Sequence, residues 1–282
     1  MNIAISATTH PGLERDNNED AFAICIDLAH PRWTNENIQT NGSLGPLGAV
    51  LMVADGIGGF NAGEVASAIA TTTVGNTLTP EAAEKAIHSQ EASADLLREA
   101  IKRADEAIEQ HIQSDFHTVG MGTTIVIAWV QPQHTHIAWC GDSRCYIYTT
   151  QDGLRAVTHD HSHVQELVDK GQITAKEALT HPDANIITRA LGDVDCSSEP
   201  EVTTLPTKAE STLVLCTDGL CGYADDEAIQ HTASSCAHQA DKCCQALLQQ
   251  ALNTGGHDNI AVAVAHLTEK RPNFFQRLFH RT

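Results

Sequence analysis

Strand-like and helix-like segments of this chain come in blocks, and that order excludes most ways of building a sheet. Apolar runs at 3–9 (IAISATT), 21–28 (AFAICIDL) and 49–55 (AVLMVAD) follow one another with no helix between them. Three more stand together at 123–130 (TTIVIAWV), 135–142 (THIAWCGD) and 144–150 (RCYIYTT). Single runs at 212–219 (TLVLCTDG) and 259–267 (NIAVAVAHL) enclose a helical block. The helices are grouped as well. One is expected from near Asn61 to Thr77, with Val65 and Ile69 on one face, and Thr79-Pro80 supplies the cap and first turn of the next. Over 93–114, Leu97, Ile101, Ala104, Ile108 and Ile112 recur at spacings of three and four, the pattern of an amphipathic helix. Two further helices are expected near 225–234 and 238–253. A parallel sheet needs a long crossover after each strand, whereas closely spaced strands pair antiparallel. The expected class is therefore α+β: a central antiparallel β-sandwich flanked by pairs of helices, in one domain. The Asn-, Gly- and Pro-rich stretch 30–48 reads as a surface loop, and TAKE (174–177) forms a capping box for a short helical excursion within 158–192.

Charge narrows the partners. With 17 basic against 36 acidic residues the net charge is −19, which argues against nucleic acid and against docking of the body on anionic lipid. The nine cysteines include no CxxC pair, and Cys140, Cys145 and Cys216 lie inside apolar runs as small hydrophobes. Glu14, Arg15 and Asp16 arrive before any apolar segment long enough for a signal peptide, and no run approaches a membrane span. A reducing, cytoplasmic location without stable membrane insertion is expected.

Charged residues recur at the strand ends. Asp55, Asp142 and Asp218 end apolar runs, and Asp258 stands where the last one begins. An antiparallel arrangement can bring all four to one sheet edge. One such aspartate is ordinarily a turn residue or a helix cap. Four would repel strongly unless a counter-charge is supplied, and oxygen-preferring divalent cations, Mg²⁺ or Mn²⁺, suit that role. Asp55 would then be a ligand, Gly56 would let a backbone carbonyl approach the ion, and Gly58 and Gly59 would free the turn into the next helix. Upstream, GLERDNNED (12–20) packs Arg15 near Glu19 and Asp20. Arginine beside a carboxylate site suits a phosphate held between metals and guanidinium; taken alone, the loop is a hydrophilic surface with an ion pair.

GLERDNNED, VADGIGG (53–59), MGTT (121–124), CGDSR (140–144), CTDGL (216–220) and GGHDN (255–259) stand in the order of the motifs of the metal-dependent protein phosphatase 2C family, PPM type, which this chain resembles from about residue 3 to 267. Residues 159–192 resemble the flap insert of its bacterial members. The resemblance implies an α-β-β-α phosphatase domain over 1–268, acting on phosphoserine and phosphothreonine in proteins, as a monomer that opposes a Ser/Thr kinase or acts on its targets. It implies two Mn²⁺ or Mg²⁺ ions with a possible third. Asp55 would bridge the pair, the carbonyl of Gly56 would hold the second, and Asp218 and Asp258 would complete the first. Glu19 and Asp20 would act on the second ion's water shell, Asp142 would serve the third ion, and Arg15 would hold the phosphate. Two cations about 4 Å apart can generate a bridging hydroxide for in-line displacement at phosphorus.

One position departs from the family pattern. Many eukaryotic members carry a histidine after the DG as the acid for the leaving group, and here it is Ile57. Either metal-bound water or a flap histidine, His161 or His163, would protonate the leaving group; the alternative is that the flap histidines are solvent-exposed. His159, His161 and His163 also have the spacing of a metal clip. Two other classes compete: a catalytically silent relative used as a binding module, which would usually have lost metal aspartates, and another two-metal phosphoesterase such as a nuclease, which the −19 charge opposes. The tail over 269–282, with Arg271, Arg277 and Arg281 among Phe274, Phe275, Leu278 and Phe279, is either an amphipathic partner or membrane-contact helix or a segment folded back on the domain.

Overall fold

The chain is described from a computed structural model over residues 1–58, 62–193, 196–236 and 239–270. Gly59, Asn61 and the basic-apolar tail from Arg271 onward lie outside the described residues. In chain order the strands are β1 (Asn2–His10), β2 (Ala21–Cys25), β3 (Ile38–Ser43), β4 (Ala49–Ala54), β5 (Gly56–Ile57), β6 (Gly122–Thr123), β7 (Ile125–Val130), β8 (His134–Cys140), β9 (Arg144–Thr149), β10 (Gly153–Ala156), β11 (Glu201–Pro206), β12 (Ser211–Cys216) and β13 (Ile260–Thr268). The helices are α1 (Gly63–Thr77), α2 (Pro80–Ala86), α3 (Gln90–Ser114), α4 (His163–Asp169), α5 (Ala175–Ala178), α6 (Asp218–Cys221), α7 (Asp226–Ser235) and α8 (Ala240–Asn253).

Two antiparallel sheets stack face to face. One has six strands in the order β10-β9-β12-β13-β1-β3, the other five in the order β11-β8-β7-β4-β2. Ile5, Phe22, Leu51, Val53, Val126, Leu215 and Ala263 fill the space between them. On the outer face of the five-stranded sheet, Val50, Met52 and Trp129 pack against Ala66 and Ala70 of α1 and Leu97 and Ile101 of α3. On the outer face of the other, Val214, Val262 and Val264 pack against Ile229 of α7 and Leu247 of α8. Each central strand thus buries both its faces, because side chains alternate across the pleat. That is why AVLMVA in β4 is apolar at every position instead of every second one. The α-β-β-α order agrees with the expected class.

Local signals also match. Thr79 accepts from the Ala82 amide with Pro80 at the first turn, and Thr174 and Glu177 form the reciprocal capping box. Helix α3 starts at Gln90, three residues before its expected start, because Ser89 caps it through the Ala92 amide. The stretch 30–48 is not wholly a loop: Ile38–Ser43 pairs with β1, Asn2 opposite Ser43 and Ala7 opposite Ile38. It has no apolar stripe because it is an edge strand whose pairing is made by the backbone. Strands β10 and β11, also at sheet edges, carry equally little apolar signal. Seven of the nine cysteines are buried. Among the described residues no helix is long and apolar enough to cross a membrane.

Candidate active site

Strands β4 and β8 both pair antiparallel with β7, so they run the same way and finish at the same edge. In the facing sheet β12 runs antiparallel to β13, which sets the end of one beside the start of the other. Asp55, Asp142, Asp218 and Asp258 therefore meet at one edge, where they line a cavity of about 540 Å³ together with Arg15 and Glu19. None of the four lies within its strand: Asp55 follows β4 by one residue, and Asp142, Asp218 and Asp258 each stand two residues from β8, β12 and β13. Strand β8 stops at Cys140 before the Gly141 turn, and β12 stops at Cys216 so that Asp218 opens α6. The carboxylates sit on turns that rigid strands hold in place.

Asp55 is tied to MGTT. Its amide donates to Thr124 Oγ1 at 3.1 Å, and its carbonyl accepts from Thr123 Oγ1 at 2.8 Å and the Thr124 amide at 2.9 Å. Thr124 Oγ1 is in turn 2.7 Å from Ser143 Oγ, beside Asp142. Asp20 is buried, with Oδ2 accepting from Thr217 Oγ1 at 2.6 Å and Oδ1 without a partner. Asn259 clamps the upstream loop: it accepts from the Glu19 amide at 2.8 Å and donates to the carbonyls of Pro11 at 2.9 Å and Asn17 at 2.7 Å. Arg15, 57% exposed, donates to Asp258 Oδ2 at 2.8 Å. Gly56 is required for packing, since a Cβ there would fall on the Gly63 carbonyl and within 2.6 Å of the Glu19 carbonyl oxygen. The close approach of three backbone segments is a second reason for glycine after Asp55.

The electrostatics of the cleft favour cations. Burial, and then the neighbouring Asp218, hold Asp55 well above the usual carboxylate range; burial does the same to Asp20, against its bond from Thr217. Asp142 is pushed up to about 8 by burial and then Asp218, and Asp218 to about 6 by burial and then Asp258. Burial, then Glu64, raises Glu19. Asp55, Asp142 and Asp218 keep some solvent access through the cleft, while protein hems them in elsewhere. The orphaned Asp20 Oδ1 and the mutual repulsion suit oxygen ligation of divalent cations. The side chains are not drawn around one point: among the described residues no three His, Cys, Asp or Glu groups form a ready ion cage. Asp258 turns toward Arg15 and Asp20 toward Thr217, which spreads the set.

The sequence profile of the family described as Protein phosphatase 2C matches residues 33–260. The chain belongs to the protein phosphatase 2C family. This phosphatase 2C chain is 34% identical over 223 residues to the serine/threonine phosphatase stp of Listeria monocytogenes, covering 78% of this chain and 86% of the relative. The crystal structure of the Mycobacterium tuberculosis serine/threonine phosphatase PstP/Ppp superposes with a TM-score of 0.77 at 29% identity, over 95% of this chain and 100% of that one. The catalytic domain of serine threonine protein phosphatase PstP in complex with 2 manganese ions gives 0.74 at 27% identity, over 95% and 100%.

The flap histidines stand apart from the cleft of this phosphatase 2C chain. His161 is only 5% exposed and stacks on Trp139, with ring centroids 6.0 Å apart. It is therefore neither an exposed flap residue nor part of the cleft lining. The Gly141 amide donates to its Nδ1 at 3.1 Å, which puts the ring proton on Nε2. Nε2 lies 3.3 Å from Glu201 Oε1 but is not aligned for a hydrogen bond. Burial, then Arg189, lowers its pKa, so the ring is a neutral strut beside the Asp142 turn. His159 instead pairs with Asp169 at 2.8 Å, and the three histidines form no metal clip among the described residues. We expect His161→Ala to cost about 1–3 kcal/mol of stability and to slow phosphopeptide and p-nitrophenyl phosphate hydrolysis by the same factor. A loss confined to the phosphopeptide would return the role of proton donor to His161.

Residues that sequence reasoning passed over complete the site. Thr124, Thr217 and Asn259 lie inside MGTT, CTDGL and GGHDN: Thr124 holds the Asp55 backbone, Thr217 the Asp20 carboxylate and Asn259 the upstream loop. Asn185 and Ile187, which join Ile57 in lining the cleft, come from the flap, where no residue pattern marks them. The flap is anchored by Arg144, which is bidentate to Asp160 at 2.6–3.0 Å, and by the Trp139 indole donating to the His159 carbonyl at 2.8 Å.

Proposed function

We infer that this chain hydrolyses phosphoserine and phosphothreonine esters in proteins, with divalent cations bound among the cleft carboxylates. The observation that carries this reading is the convergence of Asp55, Asp142, Asp218 and Asp258 with Glu19 and Arg15 in one cleft. Bound Mn²⁺ or Mg²⁺ would supply Lewis acidity and an activated water for in-line attack at phosphorus. Asp55 and the Gly56 carbonyl, with Asp218 and Asp258, would hold two ions; Glu19 and Asp20 would order their water, and Asp142 would hold a third. Arg15 would take the phosphate. Its guanidinium donates to Asp258, and an ion there would free that donor for a phosphate oxygen.

The leaving group needs a proton when it is a serine or threonine alkoxide. Ile57 cannot give one, and His161 is held against Trp139 and Gly141, so water in the cleft is the donor on this reading. The catalytic unit is 1–268 with the flap over 159–192, acting in the cytoplasm as a monomer on the products of a Ser/Thr kinase. The test is a panel of phosphopeptides, p-nitrophenyl phosphate and single-stranded nucleic acid, each with Mn²⁺ and with EDTA. Hydrolysis of the first two only, abolished by chelator, is expected. Nucleic-acid cleavage would favour the nuclease class, and inactivity throughout the silent-relative class. In the same panel Arg15→Ala should raise KM more than it lowers kcat.

A further inference from the structure

Leu13, Tyr223 and His257 stand at one lip of the cleft and have no part in the chemistry above. Leu13 is 67% exposed and Tyr223 40% exposed, among the few large apolar side chains left in solvent. Both are held in place. The Leu13 amide donates to the Gly256 carbonyl at 2.6 Å, and its Cγ would lie 2.9 Å from a Cβ at Gly256. The Tyr223 ring packs on His257 with centroids 5.3 Å apart, and His257 Nδ1 is 2.7 Å from Glu14 Oε1. Leu13, Glu14, His257 and Tyr223 therefore form one continuous ridge. It adjoins the reacting centre at two points. Arg15, next after Glu14, binds Asp258, and Tyr223 borders the space under the flap together with Asp142 and Asp218.

Charge says what the ridge can accept. Among the described residues the cleft is lined by six carboxylates (Asp16, Glu19, Asp55, Asp142, Asp218 and Asp258) against the guanidinium of Arg15. With three divalent ions bound the cleft lining comes close to neutral, but the chain around it, at −19, stays strongly acidic. An acidic flank beside the phosphorylated residue is repelled by such a surface. A basic flank is attracted. Its alkyl stem can lie on Leu13, its cation on the face of Tyr223, and its charge against Glu14.

We propose that the Leu13–Glu14–His257–Tyr223 ridge is a specificity surface that selects phosphorylated segments with an arginine or lysine close to the phosphoresidue. This rests on the proposed phosphatase activity. The test uses two phosphothreonine peptides that differ only in flanks, one with Arg and one with Asp on both sides, and the full chain with Mn²⁺. The expected kcat/KM ratio is about tenfold or more in favour of the Arg peptide, shrinking as salt is raised. Tyr223→Ala combined with Glu14→Gln should bring the ratio to about threefold or less, whereas Tyr223→Phe should keep it. Equal rates on the two peptides with the unaltered chain, or an unchanged ratio in the double variant, would overturn the proposal. Failure to hydrolyse either peptide would instead overturn the phosphatase reading and this inference with it.

Discussion

Asp55→Asn should lower kcat on the order of 10³-fold or more, because the residue would serve two ions and its loss removes charge from both. The substitution keeps the shape of the side chain and leaves the Thr123 and Thr124 bonds intact, since those go to the backbone of residue 55. Folding should survive. In the metal-free protein the variant should even unfold at a higher temperature at pH 8, as the buried carboxylate that is repelled by Asp218 and Asp20 has gone. EDTA should abolish turnover of the unaltered chain, and Mn²⁺ should restore it. Asp142→Asn should cost less, about tenfold, if Asp142 holds only an accessory ion. Turnover near the unaltered level in Asp55→Asn, with a cooperative unfolding transition, would remove Asp55 from the ligand set.

The metal-free protein is expected to lose stability as pH rises from about 5 to about 8. The sign follows from linkage. Asp142, pushed up to about 8, and Asp218, at about 6, both titrate in the fold well above the ordinary carboxylate value of 3.8, and Asp20 and Asp55 shift the same way. Between those values the folded state holds more protons than the unfolded state, so unfolding becomes easier with each rise in pH. The destabilisation is complete above the folded-state values and absent below about pH 4. Asp142 and Asp218 alone can cost on the order of several kcal/mol, or roughly 5–10 °C in melting temperature for a chain of this size. Divalent cations should reverse the effect, and more at pH 8 than at pH 5.5, since only the ionised carboxylates bind them. Asp142→Asn should flatten the metal-free profile. Melting temperatures in EDTA that stay level or rise across this range would show that the cleft carboxylates do not repel as their placement implies.

What could be read directly from residues was whatever rests on local periodicity and on spacing along the chain. The doubly buried strands such as Ala49–Ala54 declare themselves because both faces must be apolar, and α3 declares itself through one repeating stripe. The capped starts of α2 and α5 are legible from Thr79-Pro80 and TAKE. The four aspartates were marked by being charged residues at the ends of such runs, and their convergence could be anticipated from strand direction alone.

Tertiary structure decided everything that depends on partners distant in the chain. Ile38–Ser43, Gly153–Ala156 and Glu201–Pro206 are strands only because a neighbour's backbone lies beside them, and backbone pairing at a sheet edge leaves no mark on side-chain pattern. His161 has the chemistry of an acid on paper; its neutral, stacked state is set by burial against Trp139 and Gly141 and by Arg189 from another segment. The roles of Thr124, Thr217 and Asn259 likewise depend on hydrogen bonds to residues 69, 197 and 240 positions away. Residue types determined that carboxylates and an arginine were available for phosphate chemistry. Only the fold, by setting carboxylates side by side and largely shielding them from water, raised the proton affinities of Asp55, Asp142 and Asp218 and gave them a common cleft with Asp258 and Arg15.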